Sequence, residues 1–279
     1  MMTEPDSARD ALLAALAWQI ELGADECIDE TPANRFEEAP KKAAPAPAPT
    51  PVPAAKPAAP KPAQVDDGAE AVTEARRLAE GAGTLEALQA AMAGFDGCPL
   101  KHGARNTVFA DGNPGARVMF IGEAPGRDED RQGKPFVGRS GQLLDKMLAA
   151  IGLDRRSEDP ATAAYITNVL PWRPVDNRDP STDEAQMLWA FLERHIELAE
   201  PEIIVALGKS PAAALTESAV AITRARGRWV KPMRSLGRPV LLTFHPAYLL
   251  RQPAEKAKSW RDFMGLRAAL DGEAPEVQG

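Results

Sequence analysis

The stretch RVMFIGEAPG, residues 117–126, joins a short apolar run to a polar turn rich in glycine. Two later stretches repeat the arrangement: AYITNV (164–169) carries Asn168 near its end, and PVLLTF (239–244) leads into HPAYLLR (245–251). Apolar, β-branched runs of this length are typical of buried strands. If they are parallel strands of one sheet, their polar signatures meet at its carboxyl edge, where open α/β sheets bind ligands.

Strand and helix patterns alternate around these runs. The strand candidates are Val118–Gly122, Ala164–Val169, Ile203–Leu207 and Val240–Phe244, and the helical patterns are Gly141–Ile151, Thr182–Leu198, Ser210–Leu215 and Glu255–Leu270. This alternation is typical of right-handed crossovers that place helices on both faces of a parallel sheet. We therefore predict a three-layer α/β/α domain around a central parallel sheet of about four strands.

Composition divides the chain into five segments. They are an N-terminal helical appendage (1–38), an Ala/Pro-rich linker (39–66), a helical lead-in (67–94), the compact domain (95–270) and an acidic tail (271–279). The linker cannot bury a core, so we expect it to be extended and mobile. Ser7–Leu22 has the apolar spacing of a short amphipathic helix, and a tethered helix of this kind suits the docking of a protein partner.

Length and cysteine content limit the class of protein. A chain of 279 residues can bury a sizeable core, and the sequence has no apolar stretch near 18 residues that could span a membrane. The first residues lack the charged-then-apolar form of a secretory signal. Two distant cysteines, Cys27 and Cys98, argue against a disulfide framework and fit a reducing compartment. We expect a soluble, cytoplasmic monomer.

The charge is unevenly distributed along the chain. Residues 1–94 contain 8 basic and 16 acidic residues, whereas residues 95–270 contain 25 basic and 21 acidic ones, so the net charge of −7 arises outside the compact domain. Within that domain, a run without acids comprises Arg224, Arg226, Arg228, Lys231, Arg234 and Arg238. Such a run is either a solvated loop or a docking surface for a polyanion.

Four side chains near the predicted edge are candidates for a site, and each also has a structural interpretation. Glu123 either faces a ligand or caps a loop amide. Phe136, in the Gly-rich loop GKPFVGRSG, is either a plug over the core or a stacking platform for a flat ring. Asn168 either braces the backbone or reads a carbonyl beside an N–H, as on the edge of uracil. His245 is either a core histidine or a donor to an oxygen that gains negative charge.

The remaining histidines suggest no metal site. His102 has the pattern of a loop residue, and His195 that of a residue on the surface of a helix. Neither forms a ligand spacing with the cysteines.

Taken together, GEAPGRDEDRQGKPFVGRSGQLLDKML (122–148), YITNVLPWRPVDNRDP (165–180) and HPAYLLR (245–251) resemble the uracil-DNA glycosylase superfamily, most closely its family-4 members. The resemblance runs from about Phe95 to Leu270 and preserves the order and spacing of the motifs. It implies an enzyme that removes uracil from DNA in base excision repair, with uracil-containing DNA as its partner.

The resemblance also implies roles for single residues. Gly122, Glu123 and Ala124 would border the pocket near the deoxyribose and the attacking water, and Ala124 stands where the best-known uracil glycosylases have an aspartate base. Phe136 would stack on the flipped uracil and Asn168 would read its edge.

Catalysis and DNA binding would involve further positions. His245 would donate to uracil O2, and Asn177 would handle the water or the substrate. A flipped nucleotide leaves a gap in the duplex, for which Leu249 is the candidate wedge, with Tyr248 and Arg251 beside the backbone. The contacts to phosphates would come from the basic run, in particular from Arg226 and Arg228.

One departure from the family pattern concerns its four-iron, four-sulfur cluster. The four positions that carry cluster cysteines in family-4 members correspond here to Phe95, Cys98, Trp172 and Leu188. A cluster needs several thiolates, so we predict that no cluster is bound and that apolar side chains fill the space.

Two other hypotheses remain open at the level of sequence. The chain could be a non-catalytic module that binds DNA or a protein partner and retains the glycosylase fold. A nucleotide-binding, flavodoxin-like module is a weaker alternative, because no phosphate-binding G-x-G-x-x-G or Walker sequence follows a strand.

Overall fold

The computed structural model describes residues 67–174 and 182–278. In this part of the chain, seven strands form one sheet in the order β1-β3-β2-β4-β6-β5-β7. The strands are β1 (Ala110–Gly112), β2 (Val118–Gly122), β3 (Tyr165–Asn168), β4 (Ile203–Leu207), β5 (Trp229–Val230), β6 (Val240–Thr243) and β7 (Val277–Gln278). The four central strands, β3, β2, β4 and β6, are parallel, as predicted.

Short strands extend the parallel core on both sides. Strand β1 pairs antiparallel with β3, β5 pairs antiparallel with β6, and β7 adds to β5. The sequence analysis did not predict these three, because strands of two or three residues are too short for a pattern of alternation.

Helices cover both faces of the sheet. They are α1 (Asp67–Gly81), α2 (Leu85–Gly94), α3 (Arg127–Gln132), α4 (Arg139–Ala150), α5 (Thr182–Ala199), α6 (Lys209–Thr216), α7 (Ile222–Ala225), α8 (Pro246–Arg251) and α9 (Lys256–Leu270). On one face, Met119 and Ile121 pack with side chains of α2, α5 and α6. On the other face, Val118 and Phe120 pack with side chains of α4 and α9. Alternate residues of each buried strand thus supply two separate cores, which confirms the three-layer α/β/α fold.

The lead-in segment joins the helical layer on one face of the sheet. Helices α1 and α2 occupy residues 67–94, and Thr84 caps α2 by accepting a hydrogen bond from the backbone N–H of Ala87 at 3.2 Å. The predicted N-terminal appendage and linker lie outside the described residues. No helix in the described ranges is long and apolar enough to cross a bilayer.

Candidate active site at the carboxyl edge of the sheet

The register of the sheet aligns the strand ends that carry the predicted site residues. Gly122, at the end of β2, lies opposite Asn168 at the end of β3. On the other side, Leu207 of β4 lies opposite Thr243 of β6. The core strands run in the order β3-β2-β4-β6, so the chain reverses its direction of winding between β2 and β4, which is the position where sheets of this kind bind ligands.

Gly122 brings two of the predicted residues together. A Cβ atom at this position would lie 2.4 Å from Asn168 Oδ1 and 2.5 Å from the Phe136 ring. The ring edge and the carboxamide therefore both lie against the backbone of Gly122, and the space they share exists because this residue has no side chain.

Asn168 has an unusual carboxamide. The residue is 6 % exposed, and its Oδ1 is buried with no hydrogen-bond partner within the described part of the chain. An unpaired buried oxygen costs about 1–3 kcal/mol, so a backbone-bracing role does not account for it. An acceptor left open in this way is suited to a ligand that brings its own N–H.

Phe136 lies in a loop with a strained backbone. Its φ angle of 51° is in the left-handed region, which is disfavoured for a bulky side chain. The side chain is 5 % exposed, and its ring centroid lies 5.4 Å from that of His245. The aromatic platform and the histidine are therefore neighbours, although they are separated by more than 100 residues of sequence.

His245 is held in one tautomer by the start of α8. Its Nδ1 accepts a hydrogen bond from the backbone N–H of Ala247 at 3.1 Å, so the proton of the neutral ring is on Nε2. Burial, together with the nearby charge of Arg251, lowers the pKa of His245 to about 4. At neutral pH the residue is thus an uncharged N–H donor.

A second glycine makes room for this histidine. Gly208, directly after β4, has a φ angle of 102°, and a Cβ there would approach the Cβ of His245 to 3.0 Å. The end of β4 therefore supports the back of the histidine.

A cavity of about 390 Å³ opens at this edge. Its lining comprises Glu123, Ala124, Pro125, Gly126, Pro174, His245, Ala247, Tyr248 and Arg251. Glu123 is exposed in it, and its backbone carbonyl accepts from the N–H of Leu170 at 2.9 Å. The structure thus brings Gly122, Glu123, Ala124, Phe136, Asn168 and His245 to one place, with Tyr248 and Arg251 at the mouth. Asn177 lies outside the described residues.

A basic rim beside this mouth was not predicted from the sequence. A second cavity of about 460 Å³ is lined by three arginines, two carboxylates and four other residues: Arg127, Arg139, Arg251, Asp128, Glu129, Gly138, Ser140, Ala247 and Leu250. Arg127 directly follows the GEAPG turn, and Arg139 and Ser140 begin the helix after the Phe136 loop. Their positions directly after two of the site motifs are the signal that could have identified them.

Two residues predicted to contact DNA, Leu249 and Arg226, are largely covered by other parts of the protein. Leu249 is 1 % exposed and lines a cavity of about 200 Å³ with Phe263 and Trp260, whereas Leu250 of the same helix is 36 % exposed. Arg226 donates from Nε to Asp262 Oδ2 at 2.9 Å and from Nη2 to the Lys258 carbonyl at 3.0 Å. Arg226 therefore ties the loop before β5 to α9 instead of facing outward.

Other members of the basic run line a separate groove of about 620 Å³. Arg224, Arg228 and Lys231 are exposed in it, and the rest of its lining is hydroxyl-bearing or apolar. Leu242, which lines this groove, precedes His245 by three residues in the sequence.

His195 is buried, which corrects the expectation of a surface position. It is 1 % exposed, its Nε2 lies 2.8 Å from the Tyr165 hydroxyl, and its ring stacks on Phe109 with centroids 4.3 Å apart. Burial lowers the pKa of His195 to about 3, so it is a neutral core residue.

The residues at the four cluster positions do not fit an iron–sulfur cluster. Phe95, Cys98, Trp172 and Leu188 are each at most 3 % exposed and belong to one apolar core. Among them they offer one thiol, whereas a cluster of this type is held by cysteine thiolates. Across the described ranges, no group of three or more His, Cys, Asp or Glu side chains is placed to hold a metal ion.

Comparison with known proteins gives a consistent result. The family model for the uracil DNA glycosylase superfamily matches residues 109–264. The chain is 40 % identical over 176 residues to a type-4 uracil-DNA glycosylase of Thermotoga maritima, covering 58 % of this chain and 87 % of that protein. It is also 40 % identical over 176 residues to one of Archaeoglobus fulgidus (60 % and 83 %), and 36 % identical over 190 residues to one of Sulfurisphaera tokodaii (66 % and 84 %).

Proposed function

Since the chain belongs to the uracil DNA glycosylase superfamily and is a DNA glycosylase, we propose that it hydrolyses the N-glycosidic bond of uracil in DNA and thereby begins base excision repair. The observation that carries this proposal is the open, buried Oδ1 of Asn168 beside the Phe136 ring. A pyrimidine that stacks on Phe136 can offer its N3–H to this acceptor. The uracil edge has both the N–H and the flat ring that such a pocket requires.

The roles of the site residues follow from the charges that develop on the base and on the sugar. When the C1′–N1 bond breaks, its electron pair goes to the base, and positive charge develops on the sugar. The neutral Nε2–H of His245 stabilises the negative charge at uracil O2 by a hydrogen bond, without transferring a proton. Water adds its hydroxyl group to C1′, and the released proton balances the uracil anion, so the products are uracil and an abasic site.

Glu123 is suited to stabilise the positive charge that develops on the sugar in the transition state. Its exposed carboxylate lines the mouth of the cavity, beside the turn that the deoxyribose must approach. A negative charge there favours the developing positive charge of the sugar. We assign handling of the water to Asn177 by family resemblance.

The DNA strand would lie across the mouth. The rim has three arginines, Arg127, Arg139 and Arg251, against the two carboxylates Asp128 and Glu129. Together with Ser140, these arginines can contact phosphates on both sides of the flipped nucleotide. Leu250, instead of Leu249, is the exposed apolar side chain that can enter the vacated stack. The groove of Arg224, Arg228 and Lys231 extends the positive surface.

We propose that this activity needs no iron–sulfur cluster. Apolar packing at Phe95, Trp172 and Leu188 occupies the region, and Trp172 Nε1 donates to Thr107 Oγ1 at 3.0 Å. The site residues lie on strand ends and loops that this core supports from one face of the sheet.

The test is an excision assay on an end-labelled oligonucleotide with one uracil, followed by alkaline cleavage of abasic sites. We expect scission by the wild-type protein and a loss of about a hundredfold or more in rate for Asn168→Ala and His245→Ala. His102→Ala and Asn113→Ala, which alter the same residue types away from the site, serve as matched controls and are expected to retain the wild-type rate. Folded wild-type protein that cleaves neither single- nor double-stranded uracil DNA would contradict the proposal and favour a non-catalytic module.

A further inference from the structure

Helix α3 carries two adjacent buried carboxylates that serve as acceptors for backbone N–H groups. Glu129 is 7 % exposed, and its Oε1 accepts from the N–H of Val137 at 3.0 Å and of Gly138 at 2.9 Å. Asp130 is 6 % exposed, and its Oδ1 accepts from Arg105 N at 2.8 Å and Asn106 N at 3.3 Å. The two side chains are alike in burial and bonding, but they hold different loops.

The loop that Glu129 holds contains the strained residue of the site. Phe136, with a φ angle of 51°, directly precedes Val137 and Gly138, whose backbone N–H groups donate hydrogen bonds to Glu129. On the other side, Arg155 Nη1 donates to the Pro135 carbonyl at 3.1 Å. A left-handed aromatic residue persists only where its surroundings fix it, and these bonds fix the backbone on both sides of the ring.

Glu129 also contacts the first site motif. A Cβ at Gly126, which closes the GEAPG turn, would lie 2.6 Å from Glu129 Oε2. The same carboxylate therefore lies between the turn that carries Glu123 and the loop that carries Phe136. Glu129 therefore connects two walls of the pocket. The two walls are close together in space and in sequence, but no strand is common to both.

We propose that Glu129 is a positioning residue, which fixes the Phe136 ring for stacking on the flipped base by holding the Val137 and Gly138 amides. The expected effect on the excision rate rests on the proposed function. The effect of Glu129 on the conformation of the loop does not depend on that function. Glu129→Ala leaves two amides without their acceptor and frees the loop to relax from the left-handed conformation. Glu129→Gln keeps an oxygen that can accept both bonds.

The experiment compares Glu129→Ala, Glu129→Gln and the matched control Asp130→Ala, each checked for folding by its thermal unfolding. Hydrogen exchange of the peptides that contain residues 134–140 reports on the loop. Single-turnover excision of uracil from an oligonucleotide reports on the site, and a double-mutant cycle with Phe136→Ala tests whether Glu129 acts through the ring.

We expect faster exchange of residues 134–140 in Glu129→Ala but not in Asp130→Ala. The excision rate should fall about tenfold to a hundredfold in Glu129→Ala and be largely restored in Glu129→Gln. Adding Glu129→Ala to Phe136→Ala should cost little more. Equal exchange in the alanine variants, or losses that multiply in the double variant, would overturn the inference. Wild-type protein without activity would refute the proposed function, and the exchange comparison would still decide whether Glu129 holds the loop.

Discussion

His245 combines a fixed tautomer with a low proton affinity. The Ala247 N–H occupies Nδ1 at 3.1 Å, and protonation of that nitrogen would break the bond. A stronger acid at this position would gain nothing, since an uncharged donor stabilises the leaving base without having to be reprotonated in each cycle. His245 thus contributes to catalysis by the orientation of its Nε2–H group and not by proton transfer.

A pH dependence follows from this arrangement. The neutral form of His245 is the active one, and burial lowers its pKa to about 4. The excision rate should therefore be flat from pH 8 down to about pH 5 and decline only as the pH approaches 4, whereas a histidine of ordinary pKa would titrate near 6.5. Single-turnover rates after brief exposure to each pH provide the measurement, with circular dichroism to exclude unfolding. A rate that halves near pH 6.5 would contradict the assigned state.

The carboxyl end of β2 is the element that assembles the pocket. The strand places Gly122 opposite Asn168, and the turn that follows leads into the helix with the two buried carboxylates. The whole pocket therefore depends on the backbone of this strand approaching the Phe136 ring without a side chain between them.

A methyl group at Gly122 should close the pocket. In Gly122→Ala the new Cβ would meet Asn168 Oδ1 at 2.4 Å and the Phe136 ring at 2.5 Å, so both side chains must move. We expect a loss of about a hundredfold or more in excision, because a displacement near 1 Å is enough for such an effect. Gly83→Ala, where the Cβ meets nothing within 4 Å, is the control and should be neutral. An active Gly122→Ala variant would mean that the base does not bind here.

Elements differ in how far the sequence predicts them. The four parallel strands were predictable because each is a short apolar run bounded by polar residues. The orientation of α8 was not predictable: the helix has six residues and two adjacent leucines, and only the folded structure shows that Leu249 is buried and Leu250 exposed. Likewise, the pattern around His195 did not indicate that Tyr165 and Phe109 enclose it, since these partners come from distant parts of the chain.

At the scale of the whole molecule, the residues at the four cluster positions are packed in one apolar core. Phe95 packs against Phe191 with ring centroids 5.5 Å apart, and Trp172 is 1 % exposed in the same core. The family resemblance identified the positions, and the sequence supplied the residue types. The filling of this space by apolar side chains was predicted from the sequence, but individual partners such as Phe191 for Phe95 were not, because they come from distant parts of the chain.

Because apolar side chains fill this region, we predict that removal of iron affects neither the stability nor the activity of the protein. Treatment with a chelator and an oxidant should change neither the melting temperature nor the excision rate, and the purified protein should contain iron well below one cluster per chain. Trp172→Ala, by contrast, should lower the free energy of unfolding by about 3–5 kcal/mol, as expected for a buried aromatic ring. Absorbance near 400 nm that disappears on treatment together with activity would contradict the prediction.

The charge distribution of the whole molecule leads to a prediction about salt. The acidic N-terminal segments outweigh the domain in net charge, yet Arg224, Arg228 and Lys231 line a groove whose other residues are hydroxyl-bearing or apolar. Phosphate contacts release counterions, and each one adds about −0.9 to the slope of log affinity against log salt. Replacing all three with alanine should reduce the magnitude of that slope by about 2–3 for uracil-containing duplex DNA.

The matched control replaces Arg76, Arg77 and Arg105, which are exposed elsewhere, and changes the net charge by the same amount. If the groove binds the DNA backbone, the control variant keeps the wild-type slope of log affinity against log salt. The single-turnover rate at saturating enzyme should be unchanged in both triple variants, because neither set of residues belongs to the pocket. Equal slopes in the two triple variants would instead mean that the protein senses only its total charge. In that case the rim of Arg127, Arg139 and Arg251 would carry the phosphate contacts, since it is the basic surface that shares residues with the mouth of the site.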